Sequence, residues 1–192
     1  MKSQVTTKRG DSGETRALSG EVFLKSHPIF ASCGDVDAVR AGIAALRLKL
    51  QRRGTEQATE ANEFLFWLLH VCFLVGSQCN DPLNKKPQYR NRDLSTKEMD
   101  TLEEFQAKLE AQVELPKYFI VSASNELAAM TDVLCTDVRR LERSIIILKE
   151  SLPEFDVAIV LPFINRLSDT LFMLARWLEN GIHTPVDYEV LD

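Results

Sequence analysis

Histidine is scarce in this chain of 192 residues: there are three, His27, His70 and His183, and they are scattered. A His-driven catalytic triad therefore finds no support. The four cysteines, Cys33, Cys72, Cys79 and Cys135, form no Cys-x-x-Cys pair. That argues against a zinc site and points to free, buried thiols in a reducing cytoplasm. No Glu-x-x-His pair of the di-iron bundle type occurs, no Gly-x-x-x-x-Gly-Lys-Ser/Thr phosphate loop and no Gly-x-Ser-x-Gly elbow. Basic charge is not in excess, with 23 Lys and Arg against 28 Asp and Glu and a net charge of −5. A general nucleic-acid binder is thereby disfavoured, while a local basic site for a small anion stays open. Long apolar runs are also missing. The longest, Phe64 to Val75, is interrupted by His70 and falls well short of the roughly 20 residues of a membrane span. Met1 to Gly20 has no apolar core of a signal peptide, so a cytoplasmic location is expected.

What is present is helical patterning. Only 8 glycines and 7 prolines punctuate the chain, and no segment shows a convincing β alternation. The spacing predicts a first helix over 35–53, with Val36, Val39, Ile43, Leu46 and Leu50 on one face, Asp35 as N-cap and Gly54 as stop. A second, apolar nearly all round, covers 56–78 and belongs at the centre of a bundle. The polar loop 80–94 reads as mobile or disordered. A capping box, Ser95 to Glu98, opens the third helix, which ends before Pro116. The fourth covers 125–150, and the fifth ends near Asn180-Gly181, with Pro162 kinking it or marking its first turn. The expected fold is an all-α five-helix up-and-down bundle. It divides into a glycine-containing arm over 1–34, the bundle over 35–181 and a tail over 182–192.

Three polar groups stand out. Arg139 and Arg143 lie one turn apart, with Glu142 between them. Two guanidiniums so placed can seat a polyanion, or form a solvated ion-pair face in which Glu142 offsets their repulsion. The arm Thr6-Thr7-Lys8-Arg9-Gly10-Asp11-Ser12-Gly13-Glu14-Thr15, with Lys25 beyond it, can wrap an anion through backbone N–H groups, hydroxyls and ammonium groups. The other reading is a frayed terminus with a surface lysine. Asn165, Asp169 and Phe172 share one face of the fifth helix. That face is either helix-exterior polarity or, given the exposed position of Phe172, an interface.

These groups fall into a known order. Gly10-Asp11-x-Gly13-x-Thr15 is followed by Gly20, Lys25, Pro28, Gly34 and Asp37. Next come Arg139-Arg140-Leu141-Glu142-Arg143 and Asn165-Arg166-Leu167-Ser168-Asp169-x-Leu171-Phe172-x-Leu174-Ala175-Arg176. From about Thr6 to Asn180 the chain resembles the PduO-type family of ATP:cob(I)alamin adenosyltransferases. The resemblance implies a ferritin-like, trimeric assembly of five-helix bundles with ATP, accompanied by Mg²⁺, bound between subunits, and with cobalamin as the corrinoid substrate. It implies an enzyme that moves the 5′-deoxyadenosyl group of ATP to the reduced cobalt and releases triphosphate. Thr7, Lys8, Gly10, Asp11, Gly13, Thr15 and Lys25 would wrap the triphosphate. Arg139 and Arg143 would meet its oxygens, held by Glu142, and Asn165 would line the nucleotide pocket. Phe119, twenty residues before Arg139, would keep the lower face of the corrin free of a ligand. No protein-built metal site is expected.

The chain departs from the family pattern at several places. Val121-Ser122-Ala123-Ser124 replaces a usual Leu-Pro-Gly-Gly, and Cys135 replaces an arginine that normally partners the carboxylate at Asp37. Ala38-Val39-Arg40 replaces Glu-Leu-Asn, so Arg40 can restore a positive charge near Asp37, and Val22 and Ile29 each replace an arginine. These changes also admit a second reading: a non-catalytic member that binds nucleotide or corrinoid as a sensor, carrier or interaction module.

Overall fold

The computed structural model describes residue 8 and residues 10–90 and 92–191; Thr7 and Arg9 lie outside the described residues. Four of the five helices begin at a side chain that takes up N–H groups left unpaired in the first turn. His27 caps α1 (Pro28–Leu50), its Nδ1 accepting from the Ile29 N–H at 3.3 Å. Thr55 caps α2 (Glu56–Asn80) through the Ala58 N–H at 3.1 Å. The predicted box of Ser95 and Glu98 opens α3 (Thr96–Glu110), and Asn125 caps α4 (Glu126–Ser151) through the Ala128 N–H at 3.1 Å. In α5 (Val160–Leu178) no side chain caps the start, and Pro162 sits in the first turn, where its missing N–H removes no helical bond.

α1 starts at Pro28, not at Asp35. Its cap is a histidine, an unusual type for the position, fixed by stacking on Phe23 with ring centroids 4.4 Å apart. Asp35 instead points across to α4, where Arg140 Nε donates to it at 2.7 Å. Lys49, near the other end of α1, meets Glu126 at the start of α4, so these helices run antiparallel. Asp132 pairs with Arg176 and Glu142 with Asn165, which makes α4 and α5 antiparallel too. The result is the expected up-and-down bundle. Its core joins Val39, Ile43 and Leu46 of α1, Leu65 and Leu68 of α2, Leu102 of α3, Val138 and Ile145 of α4, and Leu171 and Leu174 of α5, all essentially without exposure. α2 is long and apolar enough to cross a membrane by length and composition. Its Leu65, Leu68, Val71 and Val75, however, belong to this core. Cys72, Cys79 and Cys135 are buried and free.

Two short ribbons were invisible to a search for alternation, because each strand has only two or three residues. β1 (Glu14–Arg16) pairs antiparallel with β2 (Val22–Leu24). β3 (Ile120–Val121) pairs antiparallel with β4 (Thr184–Pro185), bringing the C-terminal segment onto the loop before α4. The described residues of the loop 80–94 are organised, contrary to its polar composition. The buried Asp81 carboxylate accepts from the N–H groups of Lys85 and Lys86 at 2.9 and 2.8 Å, and its carbonyl accepts from Arg90 at 2.8 Å. A 3₁₀ turn at Pro87–Tyr89 follows.

Candidate functional site

On α4, three arginines in five residues have different fates. Arg140 is spent on structure, paired with Asp35 at 2.7 Å and Asp137 at 3.0 Å. Arg139 and Arg143 are exposed, and among the described residues neither has an ion-pair partner. Glu142 does not hold them, as the sequence pattern had implied. Its Oε1 accepts from Asn165 Nδ2 at 2.9 Å, because residue 142 faces α5 while the guanidiniums face solvent. Asn165 is thereby tied to the α4 turn that carries the two arginines. One turn earlier Cys135 is buried in the α4/α5 seam, its Sγ 3.2 Å from the Ser168 carbonyl. Burial pushes its thiol up, and the nearby Arg139 charge only partly opposes this. Phe172, odd on a polar face, lies over the guanidinium of Arg176 at 5.3 Å.

The arm forms a compact second group. Turns link Lys8 to Asp11 and Gly10 to Gly13, and the Lys25 N–H donates to the Gly13 carbonyl at 2.8 Å. Lys25 Nζ lies so close to Gly10 that a Cβ there would come within 2.9 Å of it. A side chain at Gly10 would push the Lys25 ammonium aside, and Gly13, at φ 84°, has the left-handed backbone that glycine favours. Lys8, Gly10, Asp11, Gly13 and Lys25 are brought together, with Thr15 following in β1. An ammonium above a glycine turn suits an anionic ligand.

The arm is tied to the end of α2, with the Leu18 N–H donating to Asn80 Oδ1 at 2.6 Å and Lys85 pairing with Glu21 at 2.9 Å. Among the described residues no hydrogen bond or ion pair links it to Arg139, Arg143 or Asn165. Asp37 pairs with Arg40 at 2.9 Å, and Arg40 also lies over the Phe73 ring, so Arg40 does supply the charge beside Asp37.

Phe119 marks a third region. The residue is 82% exposed, while its carbonyl accepts from the Val186 N–H at 2.8 Å. Ala123, where the family pattern has glycine, adopts φ 94°. Behind this loop lies a buried network that the motif search missed. Arg176 pairs with Asp132 at 2.7 Å and Glu179 at 3.2 Å, and His183 Nδ1 meets Glu179 at 2.9 Å. The i,i+3 and i,i+4 spacing of Arg176, Glu179 and His183 was the available signal, although His183 lies past the end of α5. A cavity of about 1160 Å³ opens beside it between α2, α3 and α5. Its Gln57 and Trp177 side chains already bond to protein groups, and it touches none of Arg139, Arg143 and Asn165.

A family model described as cobalamin adenosyltransferase matches residues 5–178. The chain belongs to this family. The corrinoid adenosyltransferase PduO of Salmonella typhimurium is 28% identical over 181 residues, which cover 93% of this chain and 51% of that protein. The chain thus spans about half the length of that relative. A corrinoid adenosyltransferase of Mycobacterium tuberculosis is 27% identical over 91% of this chain and 88% of its own length. Among solved structures, a variant PduO-type ATP:corrinoid adenosyltransferase from Lactobacillus reuteri, complexed with cobalamin and ATP, superposes with a TM-score of 0.83. It is 25% identical and is matched over 95% of this chain and 96% of that one. A second variant of it, complexed with ATP, gives 0.79 at 26% identity, over 95% and 100% of the two chains.

Proposed function

We propose that this protein transfers the 5′-deoxyadenosyl group of ATP to cob(I)alamin and releases triphosphate. The observation that carries the reading is the division of labour on α4. Arg140 is paired within the fold, whereas Arg139 and Arg143 are left for an external anion beside an oriented Asn165. The corrinoid, as substrate, brings the nucleophile: its cobalt forms a bond to ribose C5′ while the C5′–O bond breaks and its electron pair leaves with triphosphate. No protein base is required. The protein has to orient the two substrates, stabilise the departing charge and exclude water.

In this reading Arg139 and Arg143 carry the triphosphate charge, Asn165 fixes the nucleotide, and Lys8, Gly10, Asp11, Gly13, Thr15 and Lys25 close over the phosphates, with Thr7 preceding them. Phe119 faces the corrin. Mg²⁺ would accompany ATP and offset part of the triphosphate charge that Arg139 and Arg143 face. A homotrimer with ATP held between subunits is the assembly that the family resemblance implies. We assign the protein to the cytoplasm. The test is incubation of the purified protein with ATP and chemically reduced cobalamin, followed by visible absorbance under dim light. Adenosylcobalamin is the expected product. Tight ATP binding with no product at high protein concentration would instead favour the non-catalytic reading, for which the glycine-free loop and strained Ala123 are the supporting observations.

A further inference from the structure

Phe119 can face a corrinoid reproducibly only if its loop is held, and its own exposed ring holds nothing. The β3–β4 pairing and three further bonds to the C-terminal segment do so. The Val186 N–H donates to the Phe119 carbonyl at 2.8 Å, the Ser124 N–H to Glu179 Oε1 at 2.8 Å, and Asn125 Nδ2 to the Leu178 carbonyl at 2.9 Å. Between these points Ala123 sits at φ 94°, a conformation that an L-residue keeps only where its surroundings over-determine it.

The middle bond is the anchored one. Glu179 is almost fully buried, and while Oε1 takes the Ser124 N–H, Oε2 faces Arg176 Nε at 3.2 Å and His183 Nδ1 at 2.9 Å. Arg176 is itself buried and is tied to Asp132 on α4 at 2.7 Å. Arg176 Nε and His183 Nε2 are buried with no hydrogen-bond partner among the described residues, so Arg176 braces Glu179 by charge alone and Glu179 is the one side chain hydrogen-bonded to the His183 ring. A compensated carboxylate with both oxygens engaged is a rigid post in a low-dielectric setting.

We propose that Glu179, braced by Arg176 and His183, is the positioning residue that sets the Phe119 loop against the corrinoid. It stands in for the backbone freedom that a glycine turn supplies in the family pattern. This rests on the reading of Phe119 as corrinoid-facing. It does not involve the ATP side, since none of these contacts reaches Arg139, Arg143 or the arm.

The experiment measures two dissociation constants, cob(II)alamin by visible absorbance in the presence of ATP, and ATP by calorimetry. The proteins are the wild type, Phe119→Ala, Glu179→Gln, His183→Ala and the Phe119→Ala/Glu179→Gln double variant. Glu179→Gln should weaken cob(II)alamin binding about tenfold, the scale of one charge-assisted hydrogen bond, and leave ATP within about twofold. His183→Ala, which keeps the buried Arg176–Glu179 pair and hence the fold, should show the same selective loss at about threefold. In the Phe119→Ala background Glu179→Gln should add less than about twofold, because the residue it positions is gone. Equal weakening of both ligands, or full multiplication in the double variant, overturns the inference. So does a Phe119→Ala loss that neither Glu179→Gln nor His183→Ala reproduces, while the reading of Phe119 survives. If Phe119→Ala leaves cob(II)alamin affinity unchanged, or the wild type binds none, that reading falls and the inference with it.

Discussion

Replacing Arg139 by alanine should separate binding from stability. The side chain is exposed and has no ion-pair partner among the described residues, so the bundle loses no internal contact. Removing one of two like charges at i,i+4 even relieves a few tenths of a kcal/mol of repulsion with Arg143. Stability should therefore change by no more than about 0.5 kcal/mol. A guanidinium bonded to phosphate contributes roughly 1.5–3 kcal/mol, so ATP affinity should fall about 10- to 150-fold. Arg140→Ala is the control with the opposite profile. It breaks pairs to Asp35 and Asp137 at 2.7 and 3.0 Å. As these pairs are half-exposed, it should cost up to about 1 kcal/mol of stability with ATP binding unchanged. Urea unfolding and calorimetry with Mg-ATP on the three proteins give both numbers. An Arg139→Ala protein that binds ATP within twofold of wild type, or an Arg140→Ala protein that loses ATP, would refute the division of roles on α4.

Other consequences are equally direct. Ala123→Gly should raise the melting temperature by about 1–3 °C, because φ 94° costs alanine about 1–2 kcal/mol, partly offset by the backbone entropy of glycine; a lower melting temperature would show that the loop is not strained. Burial opposes ionisation of Glu98, but hydrogen bonds from Arg92 and from the Ser95 hydroxyl and N–H outweigh it and hold its carboxyl at about 2, below its usual 4.5. A depressed folded value stabilises above pH ~4.5 and fades as pH falls toward ~2. The urea midpoint of Glu98→Ala should thus lie below wild type at pH 7, by the ~1 kcal/mol of a lost capping interaction, and the gap should narrow below pH ~4.5; a constant gap from pH 7 to 3 would contradict this. Mixing and refolding an arm variant, Lys25→Ala, with Arg139→Ala should recover part of the activity that each lacks alone, if one copy's arm serves another copy's arginines; no recovery would place the whole site within one chain.

Much of the fold was legible because long helices repeat their apolar positions. Val39, Ile43 and Leu46, or Leu167, Leu171 and Leu174, announce both the element and its buried face. What was hidden depends on single long-range bonds. His27 gives no strong capping signal, so α1 was read as starting at Asp35, whose real partners, Arg140 and Ser144, lie more than a hundred residues away. Asp81 orders a loop whose composition looks disordered, since one buried carboxylate takes two N–H groups that the sequence cannot assign. At the site, the arginines and the glycine arm were visible as local patterns. The partner of Glu142 was not, because residues 139, 142 and 143 are all within reach on one helix and only the packing of α5 decides which contact forms. The Arg176, Glu179 and His183 network escaped notice for a similar reason: an acid and a base at helical spacing look like surface pairs until burial is known.

The most direct test of the central claim follows both halves of ATP in a single turnover with cob(I)alamin, using label at ribose C5′ and phosphorus-31 resonance for the leaving group. The account predicts that the label appears in the corrinoid, in a bond cleaved by light, with one intact triphosphate released for each corrinoid modified. Label that stays on ADP or AMP, or phosphate and pyrophosphate appearing in place of triphosphate before the corrinoid is modified, would contradict it.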